Sequence, residues 1–269
     1  MSSLDQIIAE VGRGELSFPT HADVAFRVRL ALDDPDLHLS QATHLVEAEP
    51  LLAARVVAVA NSVAFNRSGQ QVSDVRSAVS RLGISFIRTL ATALVMRQMT
   101  GRLQSPACRS LSERLWEHTA HVAALANVLA KRLVRPLADM ALFAGMVHEV
   151  GGFYLISRTD AYPDLFAENG TLTPQAEPLI GQAVLKALAV PEEVVNAVEV
   201  HWLPQAPDFP PTSLGDLLSL ANRLTPILSP LQNPELQVLP DDPEVASLLT
   251  EILDESGEEM GELAYALRY

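Results

Sequence analysis

Cysteine is almost missing from this chain: Cys108 stands alone among 269 residues. An intramolecular disulfide is therefore excluded, and a reducing, cytoplasmic setting suits the chain. Lysine is scarce too, with only Lys131 and Lys186 among 19 basic residues. No uninterrupted apolar run reaches the length of a membrane span, so no membrane partner is expected. The opening stretch MSSLDQIIAEVGRGE carries acids and lacks the basic start of a secretory signal. Strand-like alternation is poor, and no internal repeat or low-complexity tract is present.

What the chain has is apolar mass and acid. Hydrophobic residues make up 48% of it, enough for a sizeable core in one or two compact units. The net charge is −14, unevenly spread. Residues 1–159 hold 16 Lys and Arg against 14 Asp and Glu, while residues 160–269 hold 3 against 19. Phosphates are repelled by such a C-terminal half, so a nucleic-acid partner is not expected there.

The patterning is helical. LLAARVV leads into AVANSVAF at helical spacing. ISFIRTLATALVMRQM, Ile84 to Met99, sets Ile84, Ile87, Leu90, Ala91, Leu94 and Val95 on one stripe. Leu111 to Leu133 reads as a longer helix with Ser112 as its cap. LADMALFAGMVHEVGGFYLIS is apolar on nearly every face and predicts one buried central helix. Gly151 and Gly152 each cost such a helix about 1 kcal/mol relative to Ala. A close neighbour or a helix end is therefore expected beside them. Prolines mark the joints, including a loop with short helices over 163–178 and a Pro-rich stretch over 204–211. A helix resumes over Leu214 to Leu224, followed by an irregular connector. The acidic end, PEVASLLTEILDESGEEMGELAYALR, reads as a helix or a helix pair broken near Gly257. Its residues Val245, Leu248, Leu249, Ile252 and Leu253 form a stripe that should dock on the helical body, with the acids facing water or basic groups.

Among seven histidines, His21, His38 and His44 sit in polar surroundings and read as surface. His118 and His121 share a helix face. His148 precedes Glu149 inside the apolar run, and His201 precedes the Pro-rich stretch. A metal site needs several such ligands converging from different elements. Arg76, Arg81, Arg88, Arg97 and Arg102 are scattered through the first half and read as solvated helix faces or a basic strip. Asn61 and Ser62 read as helix-end residues that bond nearby backbone, and Gly83 after Leu82 as a tight bend or a close helix approach.

Two regions resemble the HDOD family, a branch of the HD-domain superfamily. The first runs from Glu47 to Ala91, with Asn61, Ser62, Ala78, Leu82 and Gly83 at the family's motif positions. The second is the ordered set LWEHTAHVAALANVLA, ALFAGMVHEVGGFYLI, VVNAVEVHW and LLSLANRL. The resemblance implies an all-α, multi-helical fold. An N-terminal helical subdomain, residues 1–107, packs on an HD-like bundle, residues 108–225. A connector and acidic helix follow over 226–269. In metal-binding HD enzymes the ligands are a His, a His-Asp doublet and a later Asp. The matching positions here are His118, His148, Glu149 and Asn222. The position that often carries a lysine is Gly152, and His201 resembles a further pocket histidine.

That set departs from the enzymes. Asn222 brings no charge, Glu149 is one methylene longer than Asp, and Gly152 supplies no cation to a phosphate. The resemblance therefore implies a vestigial pocket with no catalytic residue, no metal and no cofactor. His118, His148 and Glu149 would then form a packed polar core, bonded to one another. The expected function is non-catalytic bacterial signal transduction through contact with a signalling protein in trans. Two rivals stand beside it: a metal-dependent phosphohydrolase acting on a nucleotide or cyclic dinucleotide, and a regulator that binds a small ligand or RNA.

Overall fold

The computed structural model describes residues 2–18, 23–66, 68–166, 176–203, 207–231 and 242–268. Among these the fold is all-α, with no strand. The N-terminal helices are α1 (Ser3–Gly12), α2 (Asp23–Ala31), α3 (Leu39–Glu47), α4 (Pro50–Ala60), α5 (Val75–Leu82) and α6 (Ile84–Met99). The bundle holds α7 (Pro106–Leu133), α8 (Ala138–Val147), α9 (Val150–Ser157), α10 (Ala176–Ala187), α11 (Glu192–His201) and α12 (Leu214–Leu224), and α13 (Pro243–Arg268) closes the chain.

Local chemistry sets the joints. Asn61 ends α4, and its side-chain amide pairs with the backbone of Val72, donating to Val72 O and accepting from Val72 N, each at 2.8 Å. Ser62 donates to Val59 O at 2.7 Å. Arg81 donates to Ala60 O and Gln70 O, closing the same loop from the other side. Ala78 is buried on α5, with Leu82 partly buried at its end. Gly83 then turns the chain through 109° between α5 and α6 at a φ of +81°, a conformation only glycine adopts without strain.

Helix α7 is the hub. It packs against α8, α9, α12 and α13, while α6 packs on α8 and α9 and joins the two halves. One apolar cluster runs from Ile7 to Leu267. The closest glycine approach to another helix's backbone is at Gly145, where a Cβ would meet the Cα of Ala123 at 2.5 Å. That glycine lets α8 lie directly on α7.

Two sequence expectations are corrected, and one left open between alternatives is decided. Ser112 does not cap α7. The helix starts two turns earlier, where Ser105 accepts from Cys108 N and Pro106 fills the first turn, while Ser112 donates to Thr100 inside the core. The single buried helix is two helices, α8 and α9, broken at His148 and Glu149. Uniform apolarity concealed that break because it leaves no period to read. Finally, α13 is one unbroken helix through Gly257, whose absent side chain faces open space.

Helix α13 docks on α7 and α4. It buries Leu249, Ile252, Leu263, Ala264 and Leu267, whereas Leu248 is exposed. Its acids meet basic groups of α7, with Lys131 to Glu259 at 2.6 Å and Arg132 to Glu255 at 3.0 Å. The segment Arg135–Ser157 is long and apolar enough to cross a membrane, but 89% of its most apolar window is buried among the other helices. His21, Pro204, Glu235 and Asp241 lie outside the described residues.

Candidate metal centre

The break between α8 and α9 puts His148 and Glu149 at the centre of the bundle. His118 faces them from the middle of α7. All three side chains are wholly buried. His118 Nε2 lies 3.2 Å from His148 Nε2. Glu149 Oε1 stands 3.8 Å from His118 Nε2 and 4.0 Å from His148 Nε2.

The other ring nitrogens fix the tautomers. His118 Nδ1 lies 2.6 Å from Ile227 O, and His148 Nδ1 lies 2.7 Å from Gly145 O. A carbonyl oxygen only accepts, so both Nδ1 atoms carry the proton. In the neutral rings both Nε2 atoms then present lone pairs, and those lone pairs face each other. Burial holds the rings neutral. It pushes His148 down to about 3, against the opposing pull of Glu149. His118 is lowered by the same cause. The three residues are thus brought together, but the expected bonding among them is corrected at the histidines, because two opposed lone pairs make no hydrogen bond between neutral rings.

The surroundings orient this trio. Asn222, on α12, bonds His118. His201, at the end of α11, sets its ring edge-on to His148 with centroids 5.3 Å apart, and burial lowers it to about 4. His121 turns away and bonds Glu117 O on its own helix at 2.8 Å. His38 and His44 are exposed, as read from the sequence.

Two residues that sequence reasoning missed complete the shell of Glu149. Ser229 bonds it, and so does Glu177 in the first turn of α10. Burial and the neighbouring Glu149 raise Glu177 well above the ordinary range. Burial raises Glu149 as well, but hydrogen bonds from Glu177 and Ser229 favour its carboxylate form. Glu149 is therefore the carboxylate and Glu177 the acid that shares its proton. Only the chain order of an acid after the Pro163 loop hinted at Glu177, which is no signal at all.

Gly152 has a packing reason. A Cβ there would collide with Leu231 Cδ1, and Leu115 Cδ2 lies 3.4 Å away. Leu231 occupies the space a longer side chain would need. Gly151 is similarly tight, its Cβ position lying 2.9 Å from Glu177 O.

The donors suit a cation. Zinc takes His nitrogen and carboxylate oxygen at about 2.0–2.2 Å, which places tetrahedral ligand atoms about 3.4 Å apart. The three separations here are 3.2, 3.8 and 4.0 Å. Proton-bearing Nδ1 atoms bonded to carbonyls are the usual support of such ligands.

Residues 18–204 match the HDOD domain. The chain belongs to that family. An uncharacterised protein of Treponema pallidum (strain Nichols) is 24% identical over 202 residues, which is 67% of this chain but only 37% of that protein. The chain therefore spans little more than a third of that curated relative. A presumed metal-dependent phosphohydrolase from Shewanella amazonensis SB2B has a similar structure, with a TM-score of 0.74, 24% identity and coverage of 98% of this chain and 97% of the other. A presumed signal transduction protein from Marinobacter aquaeolei VT8 superposes with a TM-score of 0.61 and 23% identity, covering 98% of this chain and 65% of that one.

Proposed function

We propose that this chain is a regulatory signal-transduction module that acts through contact with another protein in trans and turns over no substrate. The single observation that carries this reading is the closure of the donor trio. His118, His148 and Glu149 are all at 0% exposure, and Leu231 fills the space over Gly152. A phosphoester must touch the metal or its water to react, and the described residues leave it no place beside these atoms. Asn222 adds no charge to hold a second ion, and Gly152 adds no cation for a phosphate. The relative from Marinobacter aquaeolei supports the signalling half of the reading by its description. The test is a tagged pull-down from the native cell, followed by titration of each purified candidate partner. Saturable binding that survives His148→Gln supports a docking role independent of the trio. Absence of any saturable partner, together with metal-dependent turnover, opposes it.

The opposed lone pairs of His118 and His148 favour a second reading, that of a metal-dependent phosphohydrolase. His118 Nε2, His148 Nε2 and Glu149 Oε1 would hold a single divalent ion. Such an ion supplies Lewis acidity and lowers the pKa of a bound water. The chain's own residues would fix the ligand tautomers through Ile227 and Gly145 and would hold a proton on Glu177 next to Glu149. In the sealed cluster the same ion would act as a strut between α7 and the α8–α9 break. Elemental analysis combined with a hydrolysis assay separates strut from catalyst.

A further inference from the structure

Helix α4 departs from the usual pattern of a surface helix. Its sequence, PLLAARVVAVA, is apolar on every side except at Arg55. A helix of that composition is normally buried all round. Yet Pro50, Leu51, Ala54 and Ala58 are exposed, with Leu51 at 60%. Arg55 does not relieve this face, because it turns inward and donates to Leu267 O at 2.8 Å. The water-facing side of α4 is therefore wholly apolar, and among the described residues nothing covers it.

That side forms one wall of a cleft of about 690 Å³, whose other lining comes from α6, the turn after it and the start of α7. Arg102 and Arg109 stand exposed on its rim, with Glu113 as the acid beside them. Bonds from Arg109 to Leu103 O and Gln104 O, at 2.9 Å each, hold its guanidinium in place. Leu51, Ala54 and Ala58 are spaced three and then four residues apart, so they form a line about 10 Å long, roughly two turns of helix. Small-molecule sites enclose most of their ligand, whereas this wall stands open to water along its length. Apolar side chains at helical spacing match the stripe of another helix. The molecule already holds one helix of fitting chemistry. Acidic α13 lies on α7 and α4 with its stripe inward, and its carboxylates meet Lys131 and Arg132. Because that stripe is buried in its own chain, α13 of a second copy is a poor occupant.

We propose that this cleft is the docking groove for an amphipathic helix of a partner protein, one that lays its apolar stripe on α4 and carries carboxylates on the flank facing Arg102 and Arg109. The proposal rests on the regulatory reading above and names the surface through which contact in trans is made. Leu51 is the anchor, since it has the most apolar surface left to bury on this wall. The two arginines set orientation and select acidic over basic partners, and contribute less to affinity because both are exposed.

The experiment is fluorescence-anisotropy titration of the intact chain into two labelled synthetic helical peptides. Both share one leucine stripe; one has glutamate flanks and the other lysine flanks. The glutamate peptide is expected to bind saturably, and the lysine peptide about tenfold more weakly or worse. Leu51→Ser is expected to weaken the glutamate peptide about tenfold, and Arg102→Glu to narrow the gap between the two peptides. Val24→Ser and Arg76→Glu, exposed and outside the cleft, are expected to change nothing. All four positions are exposed, so the fold is retained, and an unchanged melting temperature checks this. The proposal is overturned if neither peptide binds at about 100 μM, if both bind alike, or if Leu51→Ser and Val24→Ser behave alike. Tighter Leu51-dependent binding to phosphatidylglycerol vesicles than to the peptide also overturns it, in favour of a lipid surface. A purified partner that binds saturably but ignores both Leu51→Ser and Arg102→Glu overturns the groove and leaves the regulatory reading standing. Metal-dependent turnover without any partner overturns that reading and the groove's role in it together.

Discussion

Replacing Gly145 by alanine is the sharpest probe of how the fold builds its centre. The new Cβ would stand 2.5 Å from Ala123 Cα and 2.8 Å from Ala123 N. Both are backbone atoms, so no flexible side chain can yield. Ordinary contact needs roughly another ångström, and α8 must move off α7 by about that much. Overpacking of this kind costs about 1–3 kcal/mol, and backbone on backbone belongs at the upper end. Alanine in a helix interior returns about 1 kcal/mol relative to glycine. The net expectation is a loss of about 2 kcal/mol, a fall in Tm of about 4–8 °C for a chain of this size. The control is Gly257→Ala on α13, where a Cβ meets nothing within 4 Å. The same substitution there is expected to stabilise by about 0.5–1 kcal/mol. Urea and thermal unfolding of both variants read the two signs. If Gly145→Ala is as stable as the parent, the close α7–α8 approach that brings His118 to His148 is wrong.

Other outcomes follow from the same contacts. His148 is held at about 3 in the folded chain and returns toward 6.5 on unfolding. Between those values the unfolded state binds the extra proton, so stability of the metal-free protein falls as pH drops through that window, by up to about 4–5 kcal/mol. His148→Gln is expected to flatten the acid limb of a urea-midpoint-against-pH profile, and a parallel limb in both proteins would contradict the burial of this ring. One equivalent of zinc is expected to raise Tm, with the gain lost in His118→Gln, whereas a zinc-independent Tm would show that the lone pairs do not meet a cation. Deleting residues 243–269 is expected to lower solubility by uncovering the apolar face beneath Leu249, Ile252, Leu263 and Leu267. Because half-exposed ion pairs such as Arg132 with Glu255 contribute little, salt is expected to leave amide exchange in α13 nearly unchanged, and fast exchange throughout α13 would refute the docking.

Much of the fold was legible because helical period and punctuation agree. Helices α6 and α12 match their expected ranges, since each has a stripe and a start signal, Gly83 for one and Ser213 with Asp216 for the other. The start of α7 was legible but misread: Ser105 before Pro106 is a stronger cap signal than Ser112. The α8–α9 break was not legible, because a segment apolar on all sides carries no phase. The motif positions His118, His148, Glu149 and Asn222 do converge. Their tautomers were out of reach, because they depend on two backbone carbonyls, of Ile227 and Gly145, that no side-chain pattern encodes. Glu177 and Ser229 enter through loop geometry alone. Of the scattered basic set, Arg88 bonds Leu32 O beside Asp33 and Arg81 closes its loop, partners that no side-chain pattern encodes.

The most direct test of the central claim is hydrolysis of bis(p-nitrophenyl) phosphate and of a cyclic dinucleotide by the intact chain supplied with zinc, manganese or ferrous iron, with His148→Ala as the blank. The account predicts identical background rates for the two proteins under every metal, because Leu231 and full burial keep a phosphoester from the donor trio. Metal-dependent turnover that His148→Ala abolishes would contradict it and make the chain an enzyme.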